Sequence, residues 1–389
     1  MWYSLLRISQ FYVFEKSKRH TMLAIFTVLY KLLLLIPSLL GVGFLIAFHE
    51  LGHFLFCKIF NVAAPSFSIG FGPALLKKTI GETDFTLSSI PLGGYVEIAG
   101  EETNELNNKK SSFPPHRLFK NKPYYQKICI LAGGILFNLT FAYAALTALL
   151  MTSLPQTPLL YPFNATTKVS NITPESPAEK AGIQSNDRII AFDNENMDDS
   201  HATLINKLRN HANKSVQLTV QRDQQVLTKE VHLTRHMPAG HKTGYLGASF
   251  HMQALAPHSF LQASYLATRI ITRFSINIYY VLKNLITSRT TQGTSGPIMI
   301  FAATMKGFEK GTKIFFLFLA FLSINLACLN LVPLPILDGG QILFTSIEAL
   351  IRRELPETIK LYFAYGCWLL LLALTIYISC QDILYLITD

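Results

Sequence analysis

The sequence has few charged residues, and acidic residues are scarcer than basic ones. Only 15% of its 389 residues are charged, whereas a soluble globular domain usually carries about 25%. The 24 acidic residues are outnumbered by 34 Lys and Arg, and half of the chain is hydrophobic. This composition excludes a disordered chain and argues against an all-soluble protein. The cations flank apolar runs without forming one polar face, so they favour loops beside membrane spans over nucleic-acid binding.

Cysteine is also scarce, and no CxxC pair occurs. The five cysteines are scattered, mostly in or beside apolar segments: Cys57, Cys129, Cys328, Cys367 and Cys380. Such spacing gives no disulfide framework, and buried thiols are expected instead. A secretory signal peptide is not expected either, because the first apolar run is too long and no small-residue cleavage site follows it.

Four apolar stretches are long enough to cross a bilayer, which takes about 20 residues. They are residues 32–57, 128–151, 312–345 and 361–385. The sequence therefore predicts a polytopic α-helical membrane protein with about four transmembrane helices. Residues 1–31 are an N-terminal extension. They form an interfacial helix, or the natural start is Met22 and much of the extension is absent.

The segments between the spans have three different characters. Residues 58–127 contain short alternating runs with glycines, which are typical of β-hairpin strands. Open strand edges cannot face lipid, so we expect a membrane-associated β-hairpin sheet that other parts of the protein cover. Residues 155–246 have ordinary polarity and strand patterns, which predicts an α+β domain. Residues 256–311 combine apolar and cationic side chains, which favours an amphipathic helix on the membrane surface and a connector over an ordinary soluble helix.

The distribution of Lys and Arg predicts the topology. The loop after span one holds nine of them, and the loop after span three holds Arg352, Arg353 and Lys360. Both loops are expected on the cytoplasmic side, so the α+β domain is extracytoplasmic. Four cations disagree with this orientation because they precede span one: Arg7, Lys16, Lys18 and Arg19. A start at Met22 removes these four and leaves only Lys31 before the span, and an interfacial N-terminal helix also resolves the conflict.

The first span contains His49-Glu50-Leu51-Gly52-His53. Two histidines separated by four positions share one face of a helix, and their imidazoles can bind one Zn²⁺. The glutamate between them is placed to act as a general base. Ionisable groups at membrane depth are expensive and usually functional, so a merely structural histidine pair is the weaker interpretation.

A third metal ligand has to come from elsewhere at a similar depth. Asp338 lies at the end of span three, and spans one and three cross the bilayer in the same direction. His49, His53 and Asp338 are therefore expected to meet near the cytoplasmic face. Asn330 and Asn325 are amides in the same span, and either could donate a hydrogen bond to a substrate carbonyl or join helices.

These motifs resemble the site-2 protease family of intramembrane zinc metalloproteases, and in particular its bacterial regulator-of-sigma-E protease type. The resemblance rests on HExxH in span one and on Asn330-Leu-Val-Pro-Leu-Pro-Ile-Leu-Asp-Gly-Gly340 in span three. Three further stretches also resemble that group: Phe67–Gly72 with Pro91–Val96, Ala132–Asn138 and Thr294–Ile298.

The resemblance implies an activity and a role for each matching residue. His49, His53 and Asp338 are implied as zinc ligands and Glu50 as the general base. Asn330 is implied to assist at the substrate carbonyl, and the strand of Gly70, Phe71 and Gly72 to line the substrate path. The implied substrates are single-span membrane proteins in the bacterial inner membrane, cleaved by regulated intramembrane proteolysis. Anti-sigma factors and signal-peptide remnants are examples.

Part of the extracytoplasmic domain resembles a PDZ domain. The likeness is carried by Val169–Ile172, Ser176–Gly182 and Asn186–Asp193, and the segment has room for one such domain. PDZ domains bind an extended peptide or a carboxyl terminus as an added strand, so a partner of this kind is expected. A small β-domain without a ligand is the alternative.

Two other functions stay open at this point. A catalytically inactive scaffold could use the PDZ-like domain to hold partners, although such a protein has no need of Glu50. A metal transporter would need ionisable residues along a path through the membrane, whereas here they cluster near one face.

Overall fold

The computed structural model describes residues 2–101, 113–197, 201–236, 243–287 and 296–388; it does not describe the side chains of residues 1–21, 23–25, 27–28 and 385–388 or of a few single residues elsewhere. Three groups of predictions lie outside this description. They concern Lys109 and Lys110 of the cationic loop after span one, Thr294 and Ser295 of the family-like stretch Thr294–Ile298, and the side chains of the cations Arg7, Lys16, Lys18 and Arg19. The chain forms two compact units. One comprises Met1–Ala142 with Gly293–Asp389, and the other comprises Tyr143–Gln292.

The first unit is mainly helical. Its helices are α1 (Trp2–Ile59), α2 (Tyr124–Leu150), α6 (Pro297–Glu309), α7 (Thr312–Asn330), α8 (Asp338–Ile351) and α9 (Glu357–Thr388); α2 continues into the second unit. Within the described residues, four helices are long and apolar enough to cross a membrane: residues 29–59 of α1, α2, α7 and residues 357–384 of α9. The number of such helices agrees with the predicted four spans.

Two boundaries differ from the prediction for physical reasons. The predicted third span ran to residue 345, whereas α7 ends at Asn330 and α8 begins at Asp338. Pro333 and Pro335 lie between them, and two prolines this close together favour a break because each lacks a backbone N–H and its ring clashes with the preceding turn. At the other end of the chain, the predicted extension is not a separate segment. Residues 2–31 form the first part of α1, which runs without a break into the first span.

A folded β-sheet packs against the end of α1. It consists of β1 (Ser66–Ile80) and β2 (Thr83–Glu97). Each residue of Ser66–Ile69 has one partner in residues 84–87 and another in residues 94–97, so the first half of β1 lies between two stretches of β2. The rings of Phe54, Phe67 and Phe85 lie 5.4–5.7 Å apart and join the sheet to the helix.

An ionic cluster ties the turn of this sheet to the same end of α1. Glu82 Oε1 accepts hydrogen bonds from Arg117 Nη2 at 2.6 Å and from Lys58 Nζ at 2.8 Å. These bonds, that from Arg117 above all, lower the pKa of Glu82 to about 2. Thr83 Oγ1 donates to Ala64 O at 2.7 Å. The sheet is thus held at both its turn and its aromatic face.

The second unit is built around a six-stranded sheet with the order β10-β3-β4-β6-β7, in which β5 pairs with β4. Its elements are β3 (Ala165–Ile172), α3 (Pro177–Lys180), β4 (Arg188–Phe192), β5 (Glu195–Asn196), α4 (His201–Asn210), β6 (Ser215–Arg222), β7 (Gln225–His232), β8 (Thr234–His236), β9 (Thr243–Tyr245), β10 (Ala248–Met252) and α5 (Phe260–Thr287). The sheet includes β10, which lies beyond the predicted domain boundary at residue 246.

The core of this unit contains a buried histidine. His201 at the start of α4 is 2% exposed, and neither ring nitrogen forms a hydrogen bond within the described residues. Its ring packs on Tyr161 and Phe250, with centroid distances of 5.5 and 4.8 Å. Burial and the nearby charge of Arg273 lower the pKa of His201 to about 4.

This buried histidine predicts that the second unit loses stability in mild acid. Below about pH 6.5 the unfolded state binds a proton at His201, whereas the folded state does not until about pH 4. Stability should fall by about 1.4 kcal/mol per pH unit across this window, and His201→Phe should remove that dependence. The stability of the second unit at each pH is measured by hydrogen exchange of the β3 and β10 amides in the full chain, corrected for intrinsic exchange rates.

The exposed His251 on β10 offers a matched control. His251→Phe should keep the wild-type dependence on pH, because its ring lies at the surface. An equal acid dependence in wild type and His201→Phe would contradict the assignment to His201.

Candidate metal centre

Helix α1 places two buried imidazoles side by side. His49 and His53 are one turn apart on the same face, and they are 7% and 6% exposed. Their Nε2 atoms lie 3.2 Å apart. Both nitrogens therefore point to the same place, which is the arrangement that the HExxH spacing predicted.

The loop between α7 and α8 brings Asp338 to these histidines. Asp338 Oδ2 lies 3.2 Å from His49 Nε2, and Oδ1 lies 3.5 Å from His53 Nε2. The next two residues are glycines in tight contact with this loop. A Cβ at Gly339 would overlap the carbonyl of Leu331, and one at Gly340 would overlap that of Leu334. The loop can fold back on the start of α8 only because these side chains are absent.

These three residues fit a zinc ion. Their ligand atoms all lie within 4.8 Å of one another, and Asp338 Oδ2 is buried without a hydrogen bond in the described part of the chain. Two imidazole nitrogens and one carboxylate are a donor set that Zn²⁺ prefers at catalytic sites, where a fourth position stays open. The fit comes from the side chains of α1 and α8 alone.

Glu50 lies between this cluster and the sheet. Val96 N–H donates to Glu50 Oε2 at 3.2 Å. A Cβ at Gly94 would lie 3.6 Å from Glu50 Cγ, in ordinary van der Waals contact, and 2.7 Å from Ser68 O of β1, so the absence of a side chain there lets β2 pair closely with β1 beside the glutamate. The stretch of β2 around Gly94–Val96 is thus the strand beside the metal cluster.

The other predicted residues are placed differently. Asn330 Nδ2 lies 3.2 Å from His49 Nε2, so this amide joins the cluster. Asn325 is half-buried on α7. Gly70 and Gly72 adopt left-handed backbone conformations, with φ of +87° and +89°, and the ring of Phe71 covers Gly93 of β2. These three residues therefore lie on β1, next to the strand that approaches Glu50.

Helix α2 supplies contacts that the sequence analysis missed. His53 Nδ1 lies 2.8 Å from the carbonyl oxygen of Ile130, and the Asn138 amide lies 3.2 Å from His49 Nδ1. A backbone carbonyl has no signature in a sequence. Asn138 does have a signature in the sequence. It is a lone amide side chain in an apolar stretch, and it comes shortly after two consecutive glycines.

The two glycines of α2 allow this close approach. A Cβ at Gly133 would lie 2.8 Å from Gly52 O of α1, and a Cβ at Gly134 would overlap both imidazoles. The helices therefore meet backbone to backbone at the height of the histidines. Small residues permit such contacts between membrane helices.

Filling this contact should damage the metal site. Gly134→Ala should displace the imidazoles of His49 and His53 and weaken zinc binding about tenfold or more, since ligand orientation controls affinity. Gly366→Ala in α9 is the matched control, because a Cβ there meets nothing within 4 Å. Competition titrations with a chromogenic chelator measure both, and equal affinity in the two variants would contradict the role of Gly134.

Comparison with known proteins identifies the family of this chain. Residues 37–374 match Peptidase family M50. A Clostridium perfringens protein named as a zinc metalloprotease is 29% identical over 90% of this chain and 98% of its own length. Zinc metalloprotease RasP of Bacillus licheniformis is 26% identical over 90% and 98%. A membrane metalloprotease of Arabidopsis thaliana chloroplasts is 27% identical over 88% and 78%. The chain therefore belongs to peptidase family M50, the site-2 proteases, and is a zinc-dependent protease of a membrane.

Proposed function

We propose that this protease hydrolyses a peptide bond within or near the transmembrane segment of single-span membrane proteins. The observation that carries the proposal is the position of the cluster: His49 and His53 lie inside a helix that is apolar enough to cross a membrane. A site at that depth meets membrane-embedded segments before soluble ones. The process is regulated intramembrane proteolysis, with anti-sigma factors or signal-peptide remnants as the substrate classes.

In this proposal each residue of the cluster has one role. His49, His53 and Asp338 hold the zinc ion. A zinc ion bound there supplies Lewis-acid chemistry and makes the water that it binds more acidic. Glu50 takes a proton from the attacking water and delivers it to the leaving amine. Asn330 donates a hydrogen bond to the carbonyl oxygen of the scissile bond, and Asn325 contacts the substrate further along α7.

A substrate has to become extended before it can be cut. The carbonyls of a helix are occupied by their own hydrogen bonds, so a stretch around the scissile bond must unwind. We assign the stabilisation of the extended stretch to the sheet at the end of α1, with Gly70, Phe71 and Gly72 lining its path. The proximity of Gly94 and Val96 to Glu50 supports a route along this sheet towards the general base.

We further propose the bacterial inner membrane as the location, with the active site near the cytoplasmic face. The cationic loops after the first and third spans support this orientation. The same orientation puts the second unit outside the cytoplasm. Relatives from Clostridium and Bacillus are consistent with a bacterial membrane.

The second unit is proposed to act as a PDZ-like domain that binds a peptide or a carboxyl terminus. Two features support this. Strand β10 is at one end of the strand order, so one of its edges is unpaired among the strands that the structure describes. The contact between His201 at the start of α4 and Phe250 of β10 sets that helix beside the strand. An exposed edge next to a helix is the geometry in which an extended peptide adds as a further strand.

Replacing the general base should separate metal binding from catalysis. Glu50→Gln removes the group that accepts the proton and leaves the three ligands intact, so it should retain about one zinc ion and lose cleavage of a tagged single-span reporter. Glu309→Gln is the control, because Glu309 is exposed at the end of α6 and should leave cleavage unchanged. Zinc content and reporter cleavage are measured on the same preparations.

Three outcomes distinguish the parts of this proposal. Cleavage by Glu50→Gln at the wild-type rate would refute the role of Glu50. Retention of zinc by His49→Gln or Asp338→Asn would refute the ligand set. If the wild type holds zinc and cuts soluble unfolded proteins but no membrane-embedded reporter, the substrate class is wrong although the site is right.

The PDZ-like proposal predicts recognition of a free carboxyl terminus. Fluorescent peptides with apolar C-terminal residues should bind the full chain in detergent, and amidation of the same peptides should weaken binding about tenfold, because a buried carboxylate contact is lost. Fluorescence anisotropy measures both affinities. Equal affinity would refute carboxylate recognition, and the absence of binding by every peptide in a degenerate library would refute the peptide-binding role.

A further inference from the structure

Helix α2 determines which nitrogen of His53 is available to a metal. His53 Nδ1 lies 2.8 Å from the carbonyl oxygen of Ile130. A carbonyl only accepts hydrogen bonds, so Nδ1 must carry the proton and donate it. The lone pair of His53 is then on Nε2, the atom that faces Asp338.

His49 needs the same tautomer, and its Nδ1 faces a side chain instead of a carbonyl. Its Nε2 lies 3.2 Å from Asp338 Oδ2, so Nε2 is the nitrogen that a metal shared with Asp338 would use. In that case Nδ1 carries a proton and requires an acceptor. The group at Nδ1 is the amide of Asn138, at 3.2 Å.

The Asn138 amide can supply this acceptor in one of its two orientations. Its Nδ2 faces His49, and its Oδ1 is buried without a hydrogen bond among the described residues. The oxygen and nitrogen of a side-chain amide are nearly identical in shape, so the hydrogen-bond network has to decide between them. If Asn138 Nδ2 donates to His49 Nδ1, the proton of the neutral imidazole must be on Nε2, and Nε2 cannot bind a metal. An Oδ1 acceptor gives the tautomer that binds.

We propose that Asn138 is a positioning residue of the zinc site, whose Oδ1 accepts the proton of His49 Nδ1–H and so presents Nε2 to the metal. The inference rests on the proposed ligand set. It assigns to α2 the support of both histidines, through the Ile130 carbonyl for His53 and the Asn138 side chain for His49. Partners of this kind fix the tautomer and the ring orientation of metal-bound histidines.

The surroundings of Asn138 hold this side chain in place. The residue is fully buried, and its backbone carbonyl accepts a 2.8 Å hydrogen bond from Ser323 Oγ of α7. The next turns of α7 lead to Asn330, which also contacts His49. One residue of α2 therefore contacts both α1, through its side chain, and α7, through its backbone carbonyl, and its complete burial leaves the side chain little room to turn away.

The test compares substitutions that keep or remove the acceptor. Asn138→Leu has a similar size and no acceptor, and it should weaken zinc binding about 10- to 100-fold. Asn138→Asp retains an oxygen at the same position and should bind zinc within about threefold of wild type. Thr140→Val is the matched control on α2, because the exposed Thr140 hydroxyl donates only to Leu136 O. Its zinc affinity should equal that of wild type.

Dissociation constants are obtained by chelator competition with the purified full-length protein. Cleavage kinetics with added zinc give a second readout: excess zinc should restore the kcat of Asn138→Leu with KM unchanged. If Asn138→Leu does not fold, Asn138→Ala, which is smaller and also lacks the acceptor, takes its place.

The proposal is overturned if Asn138→Leu binds zinc as tightly as wild type, or if Asn138→Asp weakens binding as much as Asn138→Leu does. A failure of the ligand set is recognised separately, since His49→Gln would then retain zinc whatever the Asn138 variants do.

Discussion

The metal site depends on the contact between the backbones of α1 and α2. Gly52 of α1 meets Gly133 of α2, and Gly134 faces the two imidazoles. At this separation two groups of α2 reach the Nδ1 atoms of the histidines: the carbonyl of Ile130 reaches His53, and the amide of Asn138 reaches His49. A larger side chain at any of these glycines would force the helices apart, because packed interiors leave no void to absorb an extra methyl group. The placement of the two histidines is therefore a property of two helices, although the HExxH motif belongs to one.

The break between α7 and α8 is the second requirement. A continuous helix would carry Asp338 past the histidines, since each turn rises 5.4 Å. The prolines end α7, and the glycines after Asp338 let α8 begin against the carbonyls of the same loop. Asn330 at the end of α7 and Asp338 at the start of α8 then lie on either side of a short loop, and both reach His49.

The sequence was sufficient to predict the parts of the site that local spacing controls. The i, i+4 histidines fix their own relative position, and the common direction of the first and third spans was enough to select Asp338. The contacts of α2 could not be predicted in this way, because Asn138 and Ile130 are far from the histidines along the chain. The glycine pattern of the β-region predicted strands but not their pairing, so the sequence did not indicate that Gly94–Val96 of β2 approaches Glu50. The continuation of the domain sheet into β10 was missed for the same reason: strand pairing is non-local.

Charge balance explains why so many polar groups are tolerated in an apolar helix bundle. Glu50 and Asp338 bring two negative charges into a buried site whose histidines are neutral in the tautomers that bind a metal. Isolated buried charges of this kind are strongly unfavourable. A divalent cation at the cluster makes the sum zero, and the hydrogen bonds from Val96 N–H to Glu50 and from His53 to Ile130 O satisfy groups that would otherwise be unpaired. The same reasoning explains why the support comes from neutral groups. A carbonyl and an amide orient the histidines without adding charge, so metal and protein can remain electrically balanced at membrane depth.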